Sequence, residues 1–322
     1  MVDLIADIGG TNARFACYTA PDRNNQTGRL CHIESVLTAD FLTLEAAIDH
    51  YCKRHCITPK RSAIAVAGPV DDDAVSMANN HWSFRKTELK TQFELESLMV
   101  INDFTAQALV PPYLGADEKQ LIRKGSAVAN TPIAVLGPGT GLGFSCLVPV
   151  GKDKWKPLET EGGNILFSPR NDIQSGLLEF IWQHKSELVS FEEVISGRGL
   201  EMIYRFITKG KSSMAAADIS AHAKDNTAAR QAVLLFLDCL ASYISTAILI
   251  TGSRQGVYLS GGILQHVLAF IEESSFHHYL STHGSYSHYI NTVPVYLVTA
   301  EMPGLIGAGL ALSNPYLDHR RI

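Results

Sequence analysis

Leu4-Ile5-Ala6-Asp7-Ile8-Gly9-Gly10-Thr11-Asn12-Ala13-Arg14-Phe15-Ala16 reads as an apolar strand, a turn of two glycines and a threonine, and a second strand leading away. Much later, Ile133-Ala134-Val135-Leu136-Gly137-Pro138-Gly139-Thr140-Gly141-Leu142-Gly143-Phe144-Ser145 repeats the design. Glycine lets a backbone turn sharply and bring its N–H groups close to an anion, and a threonine hydroxyl adds a donor. One such hairpin is compatible with an ordinary tight turn. Two imply a pair of phosphate clips, and so a protein that holds a nucleotide between two lobes.

The rest of the chain is built for two lobes. Its 322 residues exceed one typical core and suit two domains. With 46% hydrophobic and 18% charged residues it has the composition of an ordinary globular protein. A net charge of −5 gives no general attraction to nucleic acid or to an anionic membrane, so bound phosphate must be held by local geometry. The six cysteines show no disulfide spacing and read as reduced core thiols, which places the chain in the cytoplasm. Asp3 and Asp7 interrupt the first apolar run, which fits a strand and not a signal peptide. Ala232 to Ile250 is the one stretch apolar enough to suggest a membrane span. Asp238, Ser242, Tyr243, Ser245 and Thr246 within it favour a buried central helix, so no membrane partner is expected.

Strands are expected over 2–8 and 11–18, with a polar hairpin loop at Asp22 to Thr27. Leu44, Ile48 and Tyr51/Cys52 recur at helical spacing after a cap at Asp40 or Thr43. Ala63 to Ala67 and Leu98 to Ile101 read as buried strands. A helix follows the second of these and breaks at Pro111-Pro112. The second half repeats this grammar: helices near 173–187, 198–208 and 227–251, a strand Gly256 to Ser260 ending in Gly261-Gly262, a strand Val295–Thr299, and a small-residue helix Gly304–Leu312. Strands alternating with helices imply an α/β class with a largely parallel sheet, and the repetition implies duplication of a fold unit. The expected division is a small α/β domain of 1–110 plus 303–322 and a large α/β domain of 111–302, with the last helix returning to the first domain.

Several residues carry chemistry in this pattern. Asp7 ends the first strand beside the first turn, where a carboxylate can hold Mg²⁺, directly or through water, or cap its own turn. Asn102-Asp103 follows a strand and precedes a helix, at the edge where open α/β sheets bind ligands. An amide can orient a sugar hydroxyl and a carboxylate can take its proton; the same pair also makes an Asx helix cap. Glu161-Gly162-Gly163-Asn164 offers a carboxylate, a close-approach turn and an amide. Glu192 is by spacing alone a surface glutamate, and Gly261-Gly262 by itself a weak sign of a base lying against backbone. The histidines at 277, 278, 283 and 288 sit among tyrosines and serines as a surface segment, not as a metal set.

Asp7-Ile8-Gly9-Gly10-Thr11-Asn12-Ala13-Arg14, Ile101-Asn102-Asp103-Phe104-Thr105, Gly139-Thr140-Gly141-Leu142-Gly143, Glu161-Gly162-Gly163, Ser196-Gly197-x-Gly199-Leu200, Ser260-Gly261-Gly262 and Pro303-Gly304-Leu305-x-Gly307-x-Gly309 occur in this order. Together they resemble the bacterial glucokinase family of the actin/hexokinase-like (ribonuclease H-like) superfamily. The resemblance implies a two-domain fold with a ligand cleft between the domains, ATP and Mg²⁺ as cofactors, glucose or a related hexose as partner, and a homodimer. It implies Asp103 as catalytic base, with Asn102, Glu161, Asn164, Glu192, Asn79 and Gly139 around the sugar. Asp7, Gly9, Gly10, Thr11, Asn12, Gly139, Thr140, Gly141, Gly261 and Gly262 would surround the nucleotide, and Asp7 would hold the metal.

Two departures fall on the acceptor side. The family's Glu-Gly-Gly-His ends here in Asn164, and its Thr-Asn-His-x-Trp reads Ala78-Asn79-Asn80-His81-Trp82. A kinase for another hexose or an amino sugar is therefore the alternative. A non-catalytic sugar- or nucleotide-binding regulator is the third reading. Against it stand Asp7, Asp103 and both hairpins, and the absence of room for a DNA reader before the first strand or after Leu312.

Overall fold

The computed structural model describes residues 2–21, 25–77, 80–184 and 188–322. The chain folds into two compact units: Met1–Lys119, Leu147–Glu159 and Thr299–Ile322 form one, Gln120–Cys146 and Thr160–Val298 the other.

In unit 1 the opening hairpin is the centre of a sheet. β1 (Asp3–Ile8) pairs antiparallel with β2 (Asn12–Thr19), and β3 (Arg29–Leu37) lies outside β2. β4 (Arg61–Val66) runs parallel to β1 on its other side. The short ribbon of β5 (Ala74–Ser76) and β6 (Ser83–Arg85) stands apart, and β7 (Ser97–Asn102) continues the sheet parallel to β4. The order is β3-β2-β1-β4-β7. β1 and β4 are buried along nearly their whole length, as expected of central strands packed on both faces. The helix Leu44–His55 starts where the Thr43 side chain accepts the Ala46 N–H at 3.2 Å, and ends at Cys56 in the left-handed region (φ 53°). Its buried stripe of Leu44, Ala47, Ile48 and Tyr51 joins Leu4, Phe15 and Ile64 in one apolar cluster.

The second sheet comprises β8 (Lys119–Arg123), β9 (Ile133–Pro138), β10 (Leu142–Gly151), β11 (Lys154–Glu159), β12 (Gly256–Leu259) and β13 (Val295–Val298), in the order β11-β10-β9-β12-β13-β8. β12 is parallel to both β9 and β13. Leaving out β8, this repeats the first sheet: a hairpin with one outer strand on one side, two parallel strands on the other. The duplicated topology is the two-domain actin/hexokinase-like fold.

Unit 1 also holds an excursion absent from the division expected at 110/111 and 302/303. Leu147–Glu159 belongs with it because Glu159 binds Arg320 at 3.0 Å and Asn314 donates to the Trp155 carbonyl at 3.1 Å. These partners are far apart in sequence, so no local pattern signals them. The helix Pro303–Leu312 lies in unit 1 against helix Asp103–Ala108, so close that a methyl on Gly307 would come within 1.9 Å of the Ala106 carbonyl.

In unit 2 the three expected helices are Asp172–His184, Gly197–Ile207 and Thr227–Thr251; residues 185–187 lie outside the described ones, as do 22–24 of the expected hairpin loop. The apolar stretch is the long helix Thr227–Thr251, and 72% of its most apolar window is buried among the other helices and strands of that unit. The thiols divide differently from expectation. Cys17, Cys146 and Cys239 are buried, whereas Cys31 and Cys56 are exposed, and all six are free.

Inside this long helix, Asp238 has a buried Oδ1 without a hydrogen-bond partner. Burial raises its pKa from the ordinary 3.8 to about 6, partly offset by the Ser275 backbone N–H. Above 6 the native state carries a poorly solvated charge. As pH falls from 6 to 3.8 the native carboxyl is neutral while the unfolded one is still charged, so the penalty shrinks. Asp238→Asn is expected to raise the thermal unfolding midpoint at neutral pH, and the gain to fade below pH 6, as followed by calorimetry.

Candidate active site

The chemistry-bearing residues fall into two sets, one on each unit. In unit 1 they gather at the C-terminal edge of three adjacent parallel strands. Register aligns Ile8, Val66 and Asn102 in one row, with Asp7 a residue behind. Because β4 lies between β1 and β7, Asp7 and the Asn102-Asp103 pair stand about 10 Å apart across the sheet. That spacing leaves room for a phosphoryl group and its acceptor.

Asp7 faces Arg14 directly across the β1–β2 pair, with Nη1 at 3.4 Å from Oδ2. Burial raises the Asp7 pKa, and the Arg14 charge and hydrogen bond pull it partly back. Helix Pro303–Leu312 begins against the same carboxylate: a methyl on Gly304 would come within 2.5 Å of Oδ2. The helix N-terminus thus adds partial positive charge where the carboxylate is least hydrated. A single half-buried carboxylate with hard oxygen donors fits Mg²⁺, which keeps most of its waters and takes phosphate oxygens besides one or two carboxylates.

Both turns close on the N–H of a glycine, the first across three residues and the second across two. The Gly9 N–H donates to the Asn12 carbonyl at 2.9 Å, and the Gly139 N–H to the Gly141 carbonyl at 2.8 Å. The first glycine of each turn therefore gives its donor to the turn itself. None of Gly9, Gly10, Gly139 and Gly141 has positive φ, so no left-handed bend requires them; a methyl on Gly141 would come within 2.5 Å of Glu192 Oε2, while Gly139 stands open. Thr38 fastens the first turn, its hydroxyl donating to the carbonyls of Gly10 (3.1 Å) and Thr11 (3.2 Å). Asn80 donates to the Gly9 carbonyl at 3.3 Å, and a hollow of about 470 Å³ opens beside Gly10, Thr11, Thr38, Asn80 and His81. Asn79 lies outside the described residues.

Asn102 caps the helix Asp103–Ala108. Its Oδ1 accepts the N–H groups of Phe104 at 2.8 Å and Thr105 at 3.2 Å. Its Nδ2 lies 3.5 Å from the Gly68 carbonyl, which leaves the amide as the weakly committed end. Asp103 takes the Phe104 N–H on Oδ1 at 2.9 Å. The cap reading is thus realised by Asn102, and Asp103 is the carboxylate that the cap holds in place.

In unit 2 the second turn is gripped by the segment that follows it. The Gly197 N–H donates to the Gly139 carbonyl at 2.8 Å, and the Leu142 N–H to Glu192 Oε2 at 2.9 Å. Glu192 also faces Arg198 at 3.7 Å, and its own N–H reaches the Gly163 carbonyl at 2.9 Å. It is no isolated surface glutamate. It ties the phosphate-type turn to Glu161-Gly162-Gly163-Asn164, where a short turn leaves Glu161 and Asn164 exposed. Gly261 has φ +133°, and a methyl there would meet the Pro138 carbonyl at 2.4 Å, so strand end and hairpin touch backbone to backbone. Among the described residues no group of three or more His, Cys, Asp or Glu is arranged to hold a metal ion; His277 pairs with Glu272 at 3.3 Å.

A glucokinase family profile matches residues 4–315. The glucokinase of Colwellia psychrerythraea is 35% identical over 98% of this chain and 97% of its own. The chain belongs to the glucokinase family. It is also 37% identical, over 97% of its length, to the bifunctional protein glk of Burkholderia lata, of which it spans about half (48%). A crystal structure of glucokinase from an Antarctic psychrotroph superimposes with a TM-score of 0.86 at 36% identity, covering 97% of this chain and 99% of the other.

Within the family frame, the residues missed by sequence reasoning are supports. Thr38 and Asn80 hold the first turn, and Arg14, part of the first motif, gains its partner Asp7 only through the β1–β2 register. Gly163 is the tightest point of the second set: a methyl there would lie 2.0 Å from the Leu142 carbonyl oxygen. Since backbone must give way, Gly163→Ala is expected to cost about 1–3 kcal/mol in urea unfolding and to lower sugar phosphorylation more than nucleotide binding.

Proposed function

We propose that this protein transfers the γ-phosphoryl group of ATP to the 6-hydroxyl of glucose, giving glucose 6-phosphate. Membership of the glucokinase family supports the reaction. The single observation that carries the assignment of roles is Asp103, a carboxylate capped into position at the end of β7, on the sheet edge that also bears Asp7.

In this reading Asp103 accepts the proton of the 6-hydroxyl as its oxygen attacks the γ-phosphorus in line. Asn102 presents its amide to a sugar hydroxyl while its carbonyl stays with the helix cap. Glu161, Asn164 and Glu192 accept or donate hydrogen bonds to the remaining hydroxyls, with Asn79 and Gly139 completing the sugar contacts. The turns Gly9–Asn12 and Gly139–Gly141 supply backbone N–H and threonine donors to phosphate oxygens, and Gly261-Gly262 borders the nucleoside. Mg²⁺ held at Asp7 would neutralise charge on the transferring phosphates. Arg14 partly offsets the upward push of burial on the Asp7 carboxyl. Water must be kept from the transferring phosphoryl group so that ATP is not hydrolysed. A homodimer in the cytoplasm, acting in glycolysis, belongs to the same proposal.

Asp103→Asn is expected to fold normally and retain glucose and ATP binding while kcat falls about 10²–10⁴-fold, the usual range for a lost general base. Near-normal turnover in an ADP-release assay would remove Asp103 from this role.

Asn164 favours one alternative, a related hexose or amino sugar as acceptor. It stands exposed at the turn where the family carries histidine, and is shorter and unable to take a proton. Across a panel of hexoses and amino sugars, glucose is expected to give the highest kcat/KM, and Asn164→His to change KM for sugar without changing KM for ATP. A higher kcat/KM for another sugar would replace glucose as the substrate.

A further inference from the structure

The β2–β3 pair, on the side of β2 away from β1, brings two thiols together. Cys17 and Cys31 are direct partners in its antiparallel register. Directly opposed residues have Cα atoms about 4.5–5.5 Å apart and side chains on one face, inside the Cα range of about 4.4–6.8 Å that a disulfide spans. Cys31 Sγ lies 3.8 Å from the Cys17 backbone carbonyl oxygen, and the two thiols are close enough to interact as side chains. The two thiols are also unlike. Cys17 is fully buried under helix Leu44–His55, where the Tyr51 hydroxyl donates to its sulfur at 3.6 Å. Cys31 is exposed on the outer strand.

An exposed thiol backed by a buried one is the arrangement of an attacking and a resolving cysteine. We propose that Cys17 and Cys31 form a reversible intrachain disulfide when the protein meets a hydroperoxide. The Cys31 thiolate attacks the peroxide oxygen, the O–O bond breaks, and Cys31 becomes a sulfenic acid as the alcohol or water leaves. The Cys17 sulfur, losing its proton, then attacks the Cys31 sulfur and displaces hydroxide, which takes that proton and leaves as water. Two thiols are oxidised and one hydroperoxide is reduced. The peroxide needs to reach only Cys31, so the burial of Cys17 does not block the first step; it shields the resolving thiol from every partner but its neighbour.

Sequence spacing conceals this pair. The intervening chain turns back between β2 and β3, and only the register sets position 31 against 17.

The test is hydrogen peroxide treatment of the intact protein, followed by denaturing thiol titration and mass spectrometry. The expected result is loss of two of the six thiols, a mass lower by two hydrogens, a linked peptide pair joining Cys17 to Cys31, and full recovery with dithiothreitol. Cys31→Ser is expected to abolish the linkage, and Cys56→Ser, which alters the other exposed thiol, to leave it intact. Cys31 recovered as sulfinic or sulfonic acid beside an alkylatable Cys17 would overturn the proposal. So would no loss of thiols, or a linkage that persists in Cys31→Ser.

Discussion

A carboxylate at the edge of a buried sheet loses hydration, and the architecture around Asp7 places positive charge where that loss is felt. Burial pushes its pKa up, and the opposed Arg14 and the start of helix Pro303–Leu312 work against that push. Each depends on a larger feature. Arg14 faces Asp7 only because β1 and β2 pair in that register, and the helix arrives only because Gly304 has no side chain.

The duplicated sheets show one solution used twice with different fastenings. In both units a hairpin turn closes on the N–H of its first glycine. The first turn is then pinned from outside by Thr38, a residue of the segment after β3. The second is pinned by Gly197 and Glu192, from the start of a helix and the loop before it. Repetition of topology therefore does not repeat the side chains that hold it. The turn is the shared element, and each unit finds its own clamp.

Much of the fold was legible because its signals are local. β1, β4 and β7 are largely apolar runs with glycine or an Asn-Asp pair at or just beyond their ends, and the caps at Thr43 and Asn102 sit next to what they cap. The two glycine turns and Asp103 were legible for the same reason. The rest depends on partners distant in sequence. Nothing near Leu147–Glu159 announces that Arg320 and Asn314 will claim it for unit 1. Glu192 reads as surface until the Leu142 N–H is placed on it. The glycines of the turns read as sharp-turn residues, and the structure makes those turns without positive φ at Gly9, Gly10, Gly139 or Gly141. Exposed thiols likewise look like core thiols until the outer strand is placed.

Helix Pro303–Leu312 carries glycine at 304, 307 and 309, facing Asp7, Ala106 and Tyr18 respectively. Each glycine inside a helix costs roughly 0.5–1 kcal/mol relative to alanine, so the segment has little reason to be helical by itself. Its order comes from docking onto a sheet whose strands lie some two hundred residues earlier in synthesis. During translation the β1–β7 sheet can form while the Asp7 edge stays uncovered, open to water. A nascent chain halted before residue 303 would carry every strand of the first sheet and lack the helix that covers the Asp7 edge.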